Sequence, residues 1–143
     1  VCSPSFLAAS DPIHKVEDLA IAIVPRDENM EDKDELWDVF LINLKEEAIT
    51  CVLVNSTGYG EKQDGELTRT TTLRHFFEEV GPLSMVLVEP IQAQVFSLTN
   101  EYWVSFLHEN YMYDKKYVFV RGSIRPEHFT MVPFINRKGV LIR

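Results

Sequence analysis

Short apolar runs separated by turn residues recur along the chain, and they predict β-strands. Residues 19–24 form an apolar run that stops at Pro25, which is typical of a buried strand. Residues 36–44 carry apolar side chains on both alternating faces, so we expect a central strand that is covered on both sides. Residues 49–54 are rich in β-branched side chains, and residues 45–47 predict a three-residue hairpin loop before them.

The clearest hairpin is predicted over residues 101–121. Its first arm is aromatic and apolar, and Glu109 and Asn110 form the turn, because asparagine tolerates the left-handed backbone conformation that such turns require. The second arm begins at residue 111 and alternates, as the side chains of a strand do. One face of this arm carries Tyr111, Tyr113, Lys115, Tyr117 and Arg121.

The middle of the chain gives weaker signals. Residues 68–72 are rich in threonine and predict an exposed strand, and the two glycines at 58 and 60 indicate a bend or a β-bulge. Residues 73–80 have apolar side chains at helical spacing and are followed by Gly-Pro, a frequent helix stop. We therefore expect one or two helical turns there, followed by a strand over residues 83–89.

These elements predict a mainly β protein. Seven or eight strands at near-regular spacing, with at most one or two short helices, indicate an antiparallel β-sandwich or a partly open barrel. The length of 143 residues fits one domain, so we expect a flexible N-terminal extension over residues 1–12 and a single β domain over residues 13–143. The chain has no apolar run long enough to predict a transmembrane helix.

Charge is unevenly distributed. The chain has 14 basic and 22 acidic residues, a net charge of -8, which argues against a nucleic-acid partner. Acidic side chains concentrate in residues 26–35, which we expect to be solvated, whereas residues 111–143 carry seven basic and two acidic side chains. The two oppositely charged ends can meet within one molecule or steer a partner.

The cysteine usage predicts a cytoplasmic protein. Small secreted domains usually carry several cysteines at close spacing, and this chain has only Cys2 and Cys51. Because Cys51 lies in an apolar run, we expect it to be a buried small hydrophobic residue.

The sequence offers no pattern that points to an enzyme, a metal site or a cofactor. There is no nucleophile-elbow motif, no pair of closely spaced cysteines, no phosphate-binding glycine loop, and the four histidines are scattered singly. We therefore expect no cofactor and no metal, and we favour a non-enzymatic function. An enzyme would need an acid or base with a strongly shifted pKa in a cleft.

The best candidate for a binding surface is the face of the second hairpin arm formed by Tyr111, Tyr113, Lys115, Tyr117 and Arg121. Tyrosine and arginine are enriched at the residues that dominate binding energy in protein interfaces. Two other interpretations stay open. The face can be partly buried against the other sheet with its hydroxyl groups at the rim, or it can stack single-stranded bases.

Four stretches carry a resemblance to known proteins: residues 37–43 (WDVFLIN), 71–79 (TTLRHFFEE), 100–106 (NEYWVSF) and 114–123 (DKKYVFVRGS). Through them the chain resembles, over residues 13–143, a family of small bacterial proteins of unassigned function. Members of that family are sometimes labelled as a phenylalanyl-tRNA synthetase chain, but 143 residues are too few for a synthetase catalytic domain. Residues 19–25 and 37–43 also resemble the β-rich domain that accompanies Smr domains. Neither resemblance implies catalytic residues.

Together these features predict a non-enzymatic binding or scaffold module that engages a protein partner or forms a homodimer. A sheet edge formed by residues 68–72 offers a second place for pairing with another copy. The alternative is a β domain that binds a small ligand or RNA, with a translation-related role. We expect no membrane association.

Overall fold

Ten strands in two antiparallel sheets make up most of the protein in the ranges that the computed structural model describes, residues 15–26, 36–61 and 65–143. The strands are β1 (Leu19–Pro25), β2 (Leu36–Asn43), β3 (Ile49–Glu61), β4 (Leu67–Arg69), β5 (Leu73–Val80), β6 (Ser84–Gln92), β7 (Thr99–His108), β8 (Tyr111–Phe119), β9 (Thr130–Val132) and β10 (Arg137–Ile142). The same ranges contain two short 3₁₀ helices, Ala93–Ser97 and Pro126–His128. Neither is long and apolar enough to cross a membrane.

The two sheets form a sandwich that does not close into a barrel. The first sheet has the strand order β6-β2-β1-β10-β9, and the second has the order β4-β3-β7-β8, with β5 also paired to β3. Side chains from both sheets share one hydrophobic core, which contains Ile21 and Leu41 from the first sheet and Val52, Val104 and Phe106 from the second. The predicted antiparallel sandwich with short helices is therefore confirmed.

The strands β1 and β2 are buried on both faces, as the uninterrupted apolar patterns predicted. Every residue of β1 from Leu19 to Val24 is buried, and β1 lies between β2 and β10. One face contributes to the shared core, while Ala20, Ala22 and Ile42 belong to a second, smaller cluster on the other face. Burial on both faces explains why these strands lack polar alternation.

The predicted hairpin loop at residues 45–47 is wrong. The strand before it, β2, pairs with β1 and β6, whereas β3 belongs to the other sheet, so the connection crosses between the sheets. The side chain of Asn43 holds this crossing: its Nδ2 donates to the carbonyl oxygens of Glu47 and Gly81, each at 2.9 Å, and its Oδ1 accepts from the backbone N–H of Lys45 at 3.0 Å.

The helical turns expected over residues 73–80 are also wrong, because this segment is strand β5. It pairs antiparallel with β3, from Ile49 opposite Val80 to Ser56 opposite Leu73. The neighbours Phe76 and Phe77 point to opposite faces, and Phe76 is 56% exposed. Pairing with the edge of β3 outweighs the helical spacing, and this extra strand helps to raise the number above the predicted seven or eight.

The predicted hairpin of the second half is confirmed. Strands β7 and β8 pair from Asn100 opposite Phe119 to His108 opposite Tyr111. The two turn residues, Glu109 and Asn110, have φ angles of 51° and 68°, the left-handed values that a tight two-residue hairpin needs.

Two sequence predictions fall on other parts of the chain. The flexible extension over residues 1–12 lies outside the described residues. So does the solvated acidic segment, except for its first residue, Arg26.

Candidate functional site

The five residues of the predicted binding face lie along β8 and just beyond it, but they do not form one exposed surface. Tyr111 is half exposed, and the Tyr113 ring is half-buried and stacks on Phe106 with ring centroids 5.2 Å apart. Tyr117 is completely buried in the core. Arg121 is exposed but follows the end of the strand, where its backbone N–H donates to Thr99.

The position of Tyr117 corrects the prediction. Its hydroxyl donates to the backbone carbonyl of Leu19 at 3.2 Å and so links the two sheets, and burial raises the pKa of that hydroxyl. A fully buried side chain cannot contact a partner of the folded protein. The ammonium group of Lys115 lies 5.1 Å from the centroid of the Tyr117 ring, at the boundary between core and solvent.

The opposite face of β8 is turned to solvent and carries Met112, Asp114, Lys116 and Val118. The ammonium group of Lys116 lies 4.5 Å from the ring of Trp103 on β7 and 3.7 Å from the Glu101 carboxylate. Trp103 is 41% exposed, so this outer face combines an aromatic surface with both signs of charge. Sequence alternation separated the two faces of β8 correctly but did not show which face was outside.

A cavity of about 250 Å³ lies between the sheets, where the pairing partner of β3 changes from β5 to β4. Its polar lining consists of Ser56, Thr57, Thr70, Thr71, Glu89, Asn100 and Tyr102. Its apolar walls are Leu73, Ile91 and Val95. The cavity is therefore built from segments that are far apart in the sequence.

The Glu89 carboxylate is buried beside this cavity. Its Oε1 lies 3.3 Å from Nε2 of His75, and the side chain of Glu89 is 9% exposed. A β-bulge places it there, because Val39 pairs with Glu89 while the next residue, Phe40, pairs with Leu87. The extra residue turns Glu89 toward the interior of the sandwich, which is how bulges commonly redirect side chains.

The other polar groups of the cavity are held by local contacts. The Nδ2 of Asn100 donates to the carbonyl oxygens of Val95 and Leu98, which fixes the side chain. Burial raises the pKa of the Tyr102 hydroxyl well above its usual value, and the charge of Glu89 adds to this effect. Tyr102 is thus neutral at physiological pH.

A second cluster lies at the tip of the β7–β8 hairpin. Nε2 of His108 is 3.3 Å from a carboxylate oxygen of Glu47, and one donor atom from each of Glu47, His108 and Glu109 lies within 4.8 Å of the others. Imidazole and carboxylate groups are suitable ligands for a divalent metal such as zinc. Sequence spacing did not reveal the cluster because Glu47 and His108 are 61 residues apart.

Cys51 differs from its prediction as a buried hydrophobic residue. It is half-buried, has a φ angle of 51° in an irregular part of β3, and is disulfide-bonded. The other cysteine of the chain, Cys2, lies outside the described residues. Disulfides are typical of oxidising compartments, so this bond weakens the argument from cysteine usage for a cytoplasmic protein.

The sequence reasoning missed the cavity, although two signals for it were present. Glu89 is a single acid inside an otherwise apolar strand, and a buried carboxylate needs a partner. The sequence predicts a bend or bulge at Gly58 and Gly60, but both are regularly paired residues of β3, and the irregularity of this strand lies between Thr50 and Leu53. Gly58 permits a close approach instead: a Cβ atom there would lie 3.2 Å from Cγ2 of Thr70.

The comparisons with known proteins add no family. No protein-family model matches the chain, and none of the curated proteins matches it. The resemblance to the small bacterial family therefore stays a prediction.

Proposed function

We propose that this protein is a non-enzymatic binding module that self-associates by pairing the β8 strands of two copies. Strand β8 is nine residues long and forms one end of the second sheet, with β7 as its neighbour among the described strands. The outer edge of such a strand presents backbone N–H and C=O groups that can extend the sheet with another strand. This edge is the observation that carries the proposal.

The side chains of β8 favour a second copy of the same strand. Two identical antiparallel strands related by a two-fold axis overlap along all nine residues only when the axis passes through Lys115. In that register, Asp114 of one copy lies opposite Lys116 of the other on the solvent face, and this pair occurs twice. Met112 lies opposite Val118 in the same way. The longest overlap thus coincides with complementary charges and an apolar pair.

The same register has one cost. Lys115 lies opposite Lys115 of the other copy, and like charges that face each other destabilise a strand pair. Its contact with the Tyr117 ring holds the ammonium group toward the strand end and away from the axis. We therefore expect a weak, reversible dimer whose affinity depends on the two Asp114–Lys116 pairs.

The 68–72 edge is a poorer site for pairing than the sequence predicted. Only Thr68 and Arg69 of this region belong to a strand, and that strand, β4 (Leu67–Arg69), is three residues long. A short edge strand is one of the ways in which proteins avoid association. The longer edge at β8 is the better candidate.

The experiment is a charge exchange measured by sedimentation velocity over a range of concentrations. We expect the unmodified protein to dimerise, and Asp114→Lys and Lys116→Asp each to be monomeric, since each substitution places like charges opposite one another. An equimolar mixture of the two variants restores both opposite-charge pairs and should form a heterodimer. Glu127→Lys is the matched control for Asp114→Lys, because it makes the same charge change at an exposed residue outside β8.

The outcomes separate the possibilities. Dimers of either single variant, or a mixture that stays monomeric, would show that this strand register is wrong. A wild-type protein that is monomeric at every concentration would refute self-association. Circular dichroism of each variant establishes that it folds, which matters for Lys116→Asp because Lys116 contacts Trp103.

The cysteine usage of the sequence predicts a cytoplasmic location, but the disulfide at Cys51 is typical of an oxidising compartment, so we expect Cys51 to be oxidised in cells. Alkylation of thiols in intact cells before lysis tests this point. A cytoplasmic protein would carry Cys51 as an alkylated thiol, and an unmodified Cys51 would contradict that location.

A further inference from the structure

The cavity between the sheets has a chemical character of its own. Its polar lining contains one carboxylate, one amide and several hydroxyl groups, and none of the residues that line it is Lys or Arg. Asn100 uses its Nδ2 for backbone carbonyls, so its Oδ1 is the atom left to accept from a ligand. The cavity is rich in acceptors and carries one negative charge.

The Glu89 carboxylate lines the cavity and has one oxygen that is not engaged by a described residue. In the described part of the chain, His75 is its hydrogen-bond partner, through Oε1 at 3.3 Å, which is long for such a contact. The second oxygen, Oε2, has no hydrogen-bond partner among the described residues and is not fully buried, so it is accessible to a ligand in the cavity.

The remaining walls are apolar. Leu73, Ile91 and Val95 line the cavity beside the polar groups. A complementary ligand therefore has a cationic group that donates hydrogen bonds at one end and a short apolar body at the other. An ammonium group meets the first requirement, since it supplies three donors and no acceptor.

We propose that this cavity binds a small organic ammonium compound, with Glu89 as its counter-ion. His75 holds Oε1 of Glu89, and Oε2 accepts from the ligand. The Oδ1 of Asn100 and the hydroxyl of Tyr102 are further groups that can receive the ligand's N–H bonds. The apolar body of the ligand lies against Leu73, Ile91 and Val95. The proposal is independent of dimerisation, because none of these residues belongs to β8.

The test uses three probes with the same four-carbon body: butylammonium, 1-butanol and butyrate. Each is titrated into ¹⁵N-labelled protein near pH 7, and the backbone amide signals are followed by NMR. We expect butylammonium to shift the signals of Ser56, Thr57, Thr70 and Thr71. The neutral alcohol should bind at least about tenfold more weakly, because hydrogen bonds to charged groups are the stronger ones. Butyrate should not bind.

Two variants locate the site. Glu89→Gln keeps the shape of the side chain and removes its charge, so it should weaken butylammonium binding at least about tenfold and leave butanol binding unchanged. Gly58→Ala places a Cβ atom 3.2 Å from Thr70 Cγ2 and 3.4 Å from Asn100 Oδ1, and so narrows the cavity. Gly60→Ala is the matched control: it creates a similarly close contact, 3.1 Å from Leu98, at a residue that does not line the cavity.

Several results would overturn the proposal. These are equal affinities for butylammonium and butanol, or an absence of amide shifts with butylammonium. An unchanged butylammonium affinity in Glu89→Gln, or equal effects of Gly58→Ala and Gly60→Ala on that affinity, would also overturn it. If Glu89→Gln does not fold, as its amide spectrum would reveal, the comparison of the two glycine variants and of the three probes still decides the question.

Discussion

Replacement of Tyr117 by phenylalanine tests whether this residue belongs to the core or to a binding surface. The change removes only the hydroxyl that donates to the Leu19 carbonyl at 3.2 Å. A net hydrogen bond of this kind contributes about 1 kcal/mol. We therefore expect Tyr117→Phe to lower the free energy of unfolding at pH 8 by about 1 kcal/mol, without an effect on dimerisation.

The same substitution has the opposite effect at high pH. Burial raises the pKa of Tyr117, whereas a tyrosine of the unfolded chain ionises near pH 10. The stability that the neutral, buried hydroxyl provides is complete below pH 10. It is lost as the pH rises further, because only the unfolded state is then ionised. This loss amounts to roughly 1 kcal/mol for each pH unit above 10, and the phenylalanine variant does not suffer it.

The two stability curves should consequently meet between about pH 10 and 11. The assay is urea unfolding followed by tryptophan fluorescence at pH 8, 10, 10.5 and 11. Only the difference in free energy of unfolding between the wild type and the variant is used, so the contribution of lysine titration cancels. For Tyr102→Phe the difference from the wild type should change with pH in the same direction above pH 10, since the pKa of Tyr102 is also raised. A difference that stays constant up to pH 11 would refute the burial argument and return Tyr117 to the candidate surface.

Three further predictions concern the packing and the covalent state. In Gly139→Ala, a Cβ atom would lie 2.5 Å from the carbonyl oxygen of Ile23, so we expect the free energy of unfolding in urea to fall by at least about 2 kcal/mol. Gly81→Ala, where the nearest contact of the Cβ atom is 3.4 Å, should change it little. Asn43→Ala removes the side-chain donor to the carbonyl oxygens of Glu47 and Gly81 and should lower the free energy of unfolding by about 2–3 kcal/mol. A variant as stable as the wild type would show that water replaces the amide. Cys51 should resist a thiol reagent in urea until a reductant is added, and immediate labelling would contradict the disulfide.

The local features of the fold were readable from the sequence. The apolar run of β1 required burial on both faces. The alternation in β8, together with a turn at Glu109 and Asn110, required a hairpin with the observed register. These features depend on residues close together in the chain, so their pattern contains the information.

Other features depended on contacts that local patterns do not encode. Residues 73–80 satisfy a helical spacing, but the exposed edge of β3 provides backbone partners that make them a strand. The crossing after Asn43 looks like a hairpin in sequence, because nothing nearby states that β2 and β3 belong to different sheets. Long-range pairing outweighs local preference in both cases.

The candidate sites show the same division. Alternation in the sequence determined that Tyr111, Tyr113, Lys115 and Tyr117 share a face of β8, and that Asp114 and Lys116 share the other. Only the packing of one sheet on the other decided which face is buried, since a strand's period of two is the same whichever side faces the core. The cavity around Glu89 and His75 needed the tertiary structure altogether. The β-bulge places Glu89 opposite His75 of the other sheet, and the positions of these two residues in the sequence do not predict that contact.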